Sequence, residues 1–145
     1  MNSALAQGIT AAVREANPLV VPLPAVREED LHDLRVVLRE VLKVWSCAGR
    51  SGDAELVLTE LLANVIRHVP SSSCTLMLER HTWGVRLSVA DSFAQVPALS
   101  EPRLSFNGEA GRGLCLIAAF SDDFYFDTYS DRTGKRAIAD FRCAA

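Results

Sequence analysis

The chain has 145 residues, 49% of them hydrophobic and 23% charged, which is enough for one packed core and too apolar for a disordered chain. Fifteen Lys and Arg against 18 Asp and Glu leave a net charge of -3, the wrong sign for gripping a phosphate backbone, so direct nucleic-acid binding is not expected. No run of about 18 apolar residues and no basic-then-apolar leader occurs, so the expectation is a cytoplasmic protein without a membrane span. Residues 1–17 are Ala-rich and weakly patterned and are read as an N-terminal extension, followed by a single domain over 18–145. Leu19 to Pro24 reads as an edge strand, because Pro is tolerated at an edge or a strand end. From Val26 the pattern turns helical, with Leu31, Leu34, Val37, Leu38, Val41, Leu42 and Trp45 on one stripe. The acidic Glu28-Glu29-Asp30 falls in its first turn, where the helix dipole favours negative charge.

Gly49-Arg50-Ser51-Gly52 interrupts the chain, and a second helix is expected from about Asp53 to Val69, ended by Pro70 and three serines. Cys74 to Arg80 and Val85 to Ala90 read as a hairpin turning at His81-Thr82-Trp83-Gly84. A polar stretch from Asp91 to Arg112 is longer than most connections, and such loops are usually functional or disordered. Gly113 to Phe120 reads as a short helix, and Phe124 to Tyr129 with Arg136 to Phe141 as a closing strand pair. Paired strands with helices between them predict an α+β fold: a two-layer sandwich, its mixed and mostly antiparallel sheet carrying helices on one face. Cys47, Cys74, Cys115 and Cys143 are scattered, form no CxxC, and are expected as reduced structural thiols.

The familiar nucleotide and nucleophile signatures are missing. Gly134-Lys135 lacks the first Gly and the Ser or Thr of a P-loop, Gly111-Arg112-Gly113 lacks the third Gly of a dinucleotide fingerprint, and no GxSxG occurs. The informative segment is Glu60-Leu61-Leu62-Ala63-Asn64-Val65-Ile66-Arg67-His68. Glu60, Asn64 and His68 are four apart and line one helical stripe, so a carboxylate and a carboxamide can share a small site. The carboxylate can accept a proton and the amide oxygen can ligate a hard cation such as Mg2+. A polar helix edge facing solvent has the same pattern. Asp91 stands at the end of a strand, and Gly111-Arg112-Gly113-Leu114 opens a helix where backbone N–H groups can approach a phosphate.

In their order and spacing these pieces resemble the ATP-binding domain of the GHKL superfamily, and more closely the RsbW-type anti-sigma-factor serine/threonine kinases, over roughly Leu19 to Phe141. Glu60 to Asn64 resembles the family's ExxxN box, Asp91 the Asp of its first glycine box, and Gly111-Arg112-Gly113-Leu114 its second. The resemblance implies ATP and Mg2+ as cofactors. Asn64 would hold the metal between the phosphates, Glu60 would be the catalytic base toward a serine hydroxyl, and Asp91 would accept the adenine amino group. Gly111, Arg112 and Gly113 would border the phosphates. Two positions depart from the pattern: Phe93 stands where a small residue is usual and is expected to crowd the adenine edge, and Arg136 stands where a Thr would help bind adenine. Two functions stay open. Glu60 and Asn64 fit a kinase that phosphorylates a small anti-sigma-factor antagonist. Phe93 and Arg136 fit a non-catalytic relative that sequesters a sigma factor or an antagonist. Both imply protein partners, and a homodimer is compatible with either.

Overall fold

The computed structural model describes residues 3–93, 109–128 and 133–144. Most of the long connection expected from Asp91 to Arg112, and part of the final turn, lie outside them. Helix α1 (Ser3–Glu15) precedes strand β1 (Leu19–Leu23). A single 3-10 turn, Glu28–Asp30, leads into α2 (Leu31–Val44). Helix α3 (Ser51–His68) is followed by the hairpin β2 (Cys74–His81) and β3 (Gly84–Asp91), then α4 (Glu109–Phe120), β4 (Asp123–Thr128) and β5 (Lys135–Arg142).

The five strands form one sheet in the order β1-β2-β3-β5-β4, and every neighbouring pair is antiparallel. The expectation of a mixed sheet is corrected on this point. Each of β1, β2, β3 and β5 meets a neighbour running the opposite way, so no parallel crossover is required among the described residues. Pro22 lies in β1, an edge strand, where a missing N–H can face solvent.

Strand alternation sorts the residues onto two faces. Leu19, Leu78, Leu87, Ala139 and Phe124 form one row across the sheet, and Val21, Leu76, Val89, Ala137 and Phe126 form the next. These rows belong to the core that takes Leu38 and Leu42 from α2, Val57, Leu61, Leu62 and Val65 from α3, and Leu114 and Ile117 from α4. The periodicity of α2 holds except at Val37, which faces solvent at 46% exposure. Burying such side chains contributes roughly 1.5–3 kcal/mol each, which fixes the register, since a one-residue slip would turn every one of them outward.

The acidic cluster before α2 forms the 3-10 turn instead of the helix's first turn. The Arg27 N–H donates to Asp30 Oδ2 at 2.9 Å, and the helix begins at Leu31, the first residue of the apolar stripe, and not at Val26. Helix α4 begins earlier than expected, so Gly111, Arg112 and Gly113 are already helical. The N-terminal residues form α1, whose Val13 carbonyl accepts the Trp45 Nε1–H at 2.8 Å.

The cysteine expectation is overturned at two positions. Cys47 and Cys143 form a disulfide, with Cα atoms 5.4 Å apart across a sequence separation of 96. The segment between α2 and α3 and the residue after β5 meet at one end of the domain, a proximity that spacing along the chain cannot show. Cys74 and Cys115 remain outside the disulfide.

Candidate functional site

The core rows run out at one end of the sheet. The next helix-facing residues after Val89 on β3 and before Ala137 on β5 are Asp91 and Lys135, which are cross-strand partners. Here the apolar layer gives way to a cavity of about 360 Å3 between α3 and the sheet. Leu61, Val65, Val89, Phe126 and Ala137 provide its apolar wall, while Asn64, Arg67, His68, Asp91, Phe93 and Lys135 supply its polar and aromatic groups. An apolar cavity with a few convergent polar groups is the usual form of a small-molecule site.

Helix α3 delivers Asn64 because Leu58 and Leu62, on the far side of the helix, are anchored in the core. The Asn64 Oδ1 is shielded from solvent and accepts no hydrogen bond among the described residues. A buried amide oxygen left unpaired costs about 1–3 kcal/mol, so an unpaired one on a residue that lines a cavity marks a place where a ligand can complete the set. A hard cation takes oxygen donors of this kind, so the residue fits Mg2+. Arg67 and His68, one turn on, are exposed at the cavity wall.

Asp91 and Lys135 form the opposite polar wall. Their side chains are 6% and 8% exposed, and Lys135 Nζ donates to Asp91 Oδ1 at 3.0 Å. Nζ also donates to the Phe93 carbonyl at 2.6 Å and lies 5.2 Å from the Phe93 ring centroid. The Phe93 N–H in turn donates to Asp91 Oδ1 at 2.8 Å. Burial, with the Asp91 carboxylate nearby, pushes the Cys74 thiol up to about 11, so Cys74 is not a nucleophile at neutral pH.

Glu60 sits one turn before Asn64, outside the cavity lining, against α4. A Cβ added at Gly113 would lie 2.6 Å from Glu60 Oε2, so the glycine permits the carboxylate to rest on the α4 backbone. Gly111 and Arg112 fall in the first turns of the same helix, with Arg112 exposed. Of the residues singled out in the sequence, Asn64 and Asp91 meet in the cavity, and Glu60 meets Gly113 beside it.

Arg136 is the clear correction. Its neighbour Lys135 has the helix-facing parity, so Arg136 leaves the sheet on the other side. There its Nε donates to Ser88 Oγ at 2.9 Å, and its guanidinium pairs with Glu79. It lines no part of the cavity and cannot stand in for an adenine-side Thr. On the same outer face Arg86 holds Asp140 by two hydrogen bonds of 2.8 and 3.0 Å. From the sequence, Lys135 is considered only beside Gly134, in the comparison with a P-loop. The alternation Lys135, Ala137, Ala139, Phe141 against the polar Arg136 and Asp140 was the signal that marks it as inward-facing.

None of the curated protein sequences matches this chain. Among solved structures it is similar to a chain in the crystal structure of the SiaB-SiaC complex from Pseudomonas aeruginosa. The identity is 15%, the TM-score is 0.65, and the match covers 94% of this chain and 96% of that one. At that identity the likeness concerns the fold. The sequence itself matches the histidine kinase-like ATPase domain over residues 24–139. That span runs from the end of the edge strand β1 into β5 and takes in Glu60, Asn64, Asp91 and both walls of the cavity, so the chain belongs to the histidine kinase-like ATPase domain family.

Proposed function

We propose that the protein binds Mg-ATP in the cavity beside Asn64 and transfers the γ-phosphoryl group to a serine or threonine of a small partner protein, of the anti-sigma-factor antagonist type. The observation that carries this reading is the shielded, unpaired Asn64 Oδ1 at the wall of an apolar cavity in an ATPase-family chain. Asn64 would hold Mg2+, which when bound supplies charge neutralisation among the phosphates. Arg67 at the cavity wall offers further positive charge, and Arg112 would add its own from the start of α4. Glu60 would accept the proton of the incoming hydroxyl as the new O–P bond forms and the bond to the ADP oxygen breaks. Phosphoryl transfer asks the protein mainly for positioning and charge stabilisation, and this set provides both. One solved structure with a similar fold is itself a complex of two proteins, which supports a protein as the partner.

A second reading, a non-catalytic binding module, has one observation in its favour. The Asp91 carboxylate that would meet adenine already carries a cation, Lys135. Calorimetric titration with Mg-ATP separates the two readings, followed by transfer of labelled phosphate to candidate antagonists. The kinase reading expects Glu60→Ala to keep ATP affinity within about threefold while transfer falls by at least about 100-fold. It expects Asn64→Ala to lose both. No Mg-ATP binding by the parent chain overturns it. Equal loss of ATP binding in the two variants would defeat the division of roles.

A further inference from the structure

The polar wall of the cavity is a donor–acceptor pair. An ammonium has three N–H groups. Lys135 commits two of them, one to Asp91 Oδ1 and one to the Phe93 carbonyl, and among the described residues the third has no acceptor. Asp91 is the mirror case. Both of its hydrogen bonds, from Lys135 and from the Phe93 N–H, reach Oδ1, and Oδ2 accepts none among the described residues. Both side chains line the cavity, and the rest of that wall is apolar. The pair is held in position by its cross-strand register, by the Phe93 backbone and by the Phe93 ring against Nζ. Such a wall is complementary to a planar ring that presents a hydrogen-bond acceptor next to a donor. A carboxylate alone would read only the donor.

We propose that Lys135 is a specificity-determining residue for the nucleobase: its free N–H donates to the ring nitrogen N1 of adenine while Asp91 Oδ2 accepts from the neighbouring amino group. This rests on the reading of the cavity as a nucleotide site. It assigns to a lysine the selection of a ring acceptor, and it gives the buried ion pair a use. Lys135 orients Asp91 through Oδ1, leaving Oδ2 for the ligand. A base that lacks the ring acceptor would bury the Lys135 N–H without a partner, and a buried charged donor left unpaired is costly.

The test compares Mg-ATP with Mg-1-deaza-ATP, in which N1 is replaced by C–H and the amino group is kept. On the parent chain the analogue is expected to bind about 10- to 100-fold more weakly. On Lys135→Met the two ligands are expected to bind alike, within about twofold, because the group that tells them apart is gone. The parent-chain comparison needs no variant, so it stands even if Lys135→Met folds poorly around an unpaired Asp91. Equal binding of the two ligands by the parent chain, or tighter binding of Mg-GTP than of Mg-ATP, overturns the assignment while leaving the nucleotide site intact. Failure of the parent chain to bind any of the three overturns the nucleotide reading itself.

Discussion

Asn64 shows how a candidate ligand group costs stability. Its Oδ1 is shielded and has no hydrogen-bond partner among the described residues, and the amide sits in the interior of α3, where Asn is a poorer helix former than Leu. Asn64→Leu should therefore raise stability, by about 1 kcal/mol, while ending Mg-nucleotide binding. Urea unfolding read beside a nucleotide titration checks both halves. A variant destabilised by more than about 1 kcal/mol would mean that the amide oxygen is satisfied in the folded protein in solution. The opposite economy holds at Gly113, where lacking a side chain lets the Glu60 carboxylate lie on α4.

At the scale of elements, the start of α3 is locked to the end of the sheet by Arg50. Its guanidinium donates to Asp53 Oδ2 at 3.2 Å, Asp122 Oδ2 at 2.7 Å and the Arg142 carbonyl at 2.9 Å, and it lies 5.3 Å from the Phe141 ring centroid. The Arg142 backbone N–H donates to the same Asp122 oxygen at 2.6 Å. That backbone hydrogen bond first, and the Arg50 guanidinium second, hold the Asp122 carboxyl below its ordinary value of 3.8. A carboxyl depressed in the folded state contributes stability above its unfolded pKa and loses that contribution as pH falls through the folded one. Asp122→Asn should therefore melt below the parent at pH 7, and the gap should close at pH values under about 3.8. Thermal melts at both pH values check it, and a gap unchanged by acid would remove the linkage. Within elements, period and type were legible in the sequence. The hairpin, the closing strand pair and the buried stripes of α2 and α3 are all visible in the spacing of apolar residues. Helix starts were not, because the Arg27–Asp30 turn and the onset of α4 depend on local hydrogen bonding that the apolar pattern does not encode.

Across the whole molecule, the Cys47–Cys143 bond closes a loop of 96 residues that encloses α3, the hairpin, α4 and the last two strands. In the chain-entropy account a loop of that length is worth up to roughly 4–5 kcal/mol, and measured effects usually fall nearer 2–4. Reduction should lower the melting temperature accordingly. Alkylation under denaturing, non-reducing conditions should label two thiols per chain, Cys74 and Cys115, and four after reduction. Four labelled thiols before reduction would show that the bond does not form.

What the sequence by itself determined was local. Helical and strand periods follow from how side chains repeat every 3.6 or 2 residues. The four-residue spacing of Glu60 and Asn64, and their likeness to an ATPase box, need nothing beyond a single helix. The tertiary structure alone decided the sheet order, in which β5 inserts between β3 and β4, and with it the partners of the site. Asp91 and Lys135 are 44 residues apart, and they meet because β3 and β5 pair in a register set by the burial of Val85, Leu87 and Val89 against Phe141, Ala139 and Ala137. The same register turns Arg136 to the outer face. Alternation along β5 already separates Lys135 from Arg136, but which distant partner the inward residue meets is settled only when the core closes.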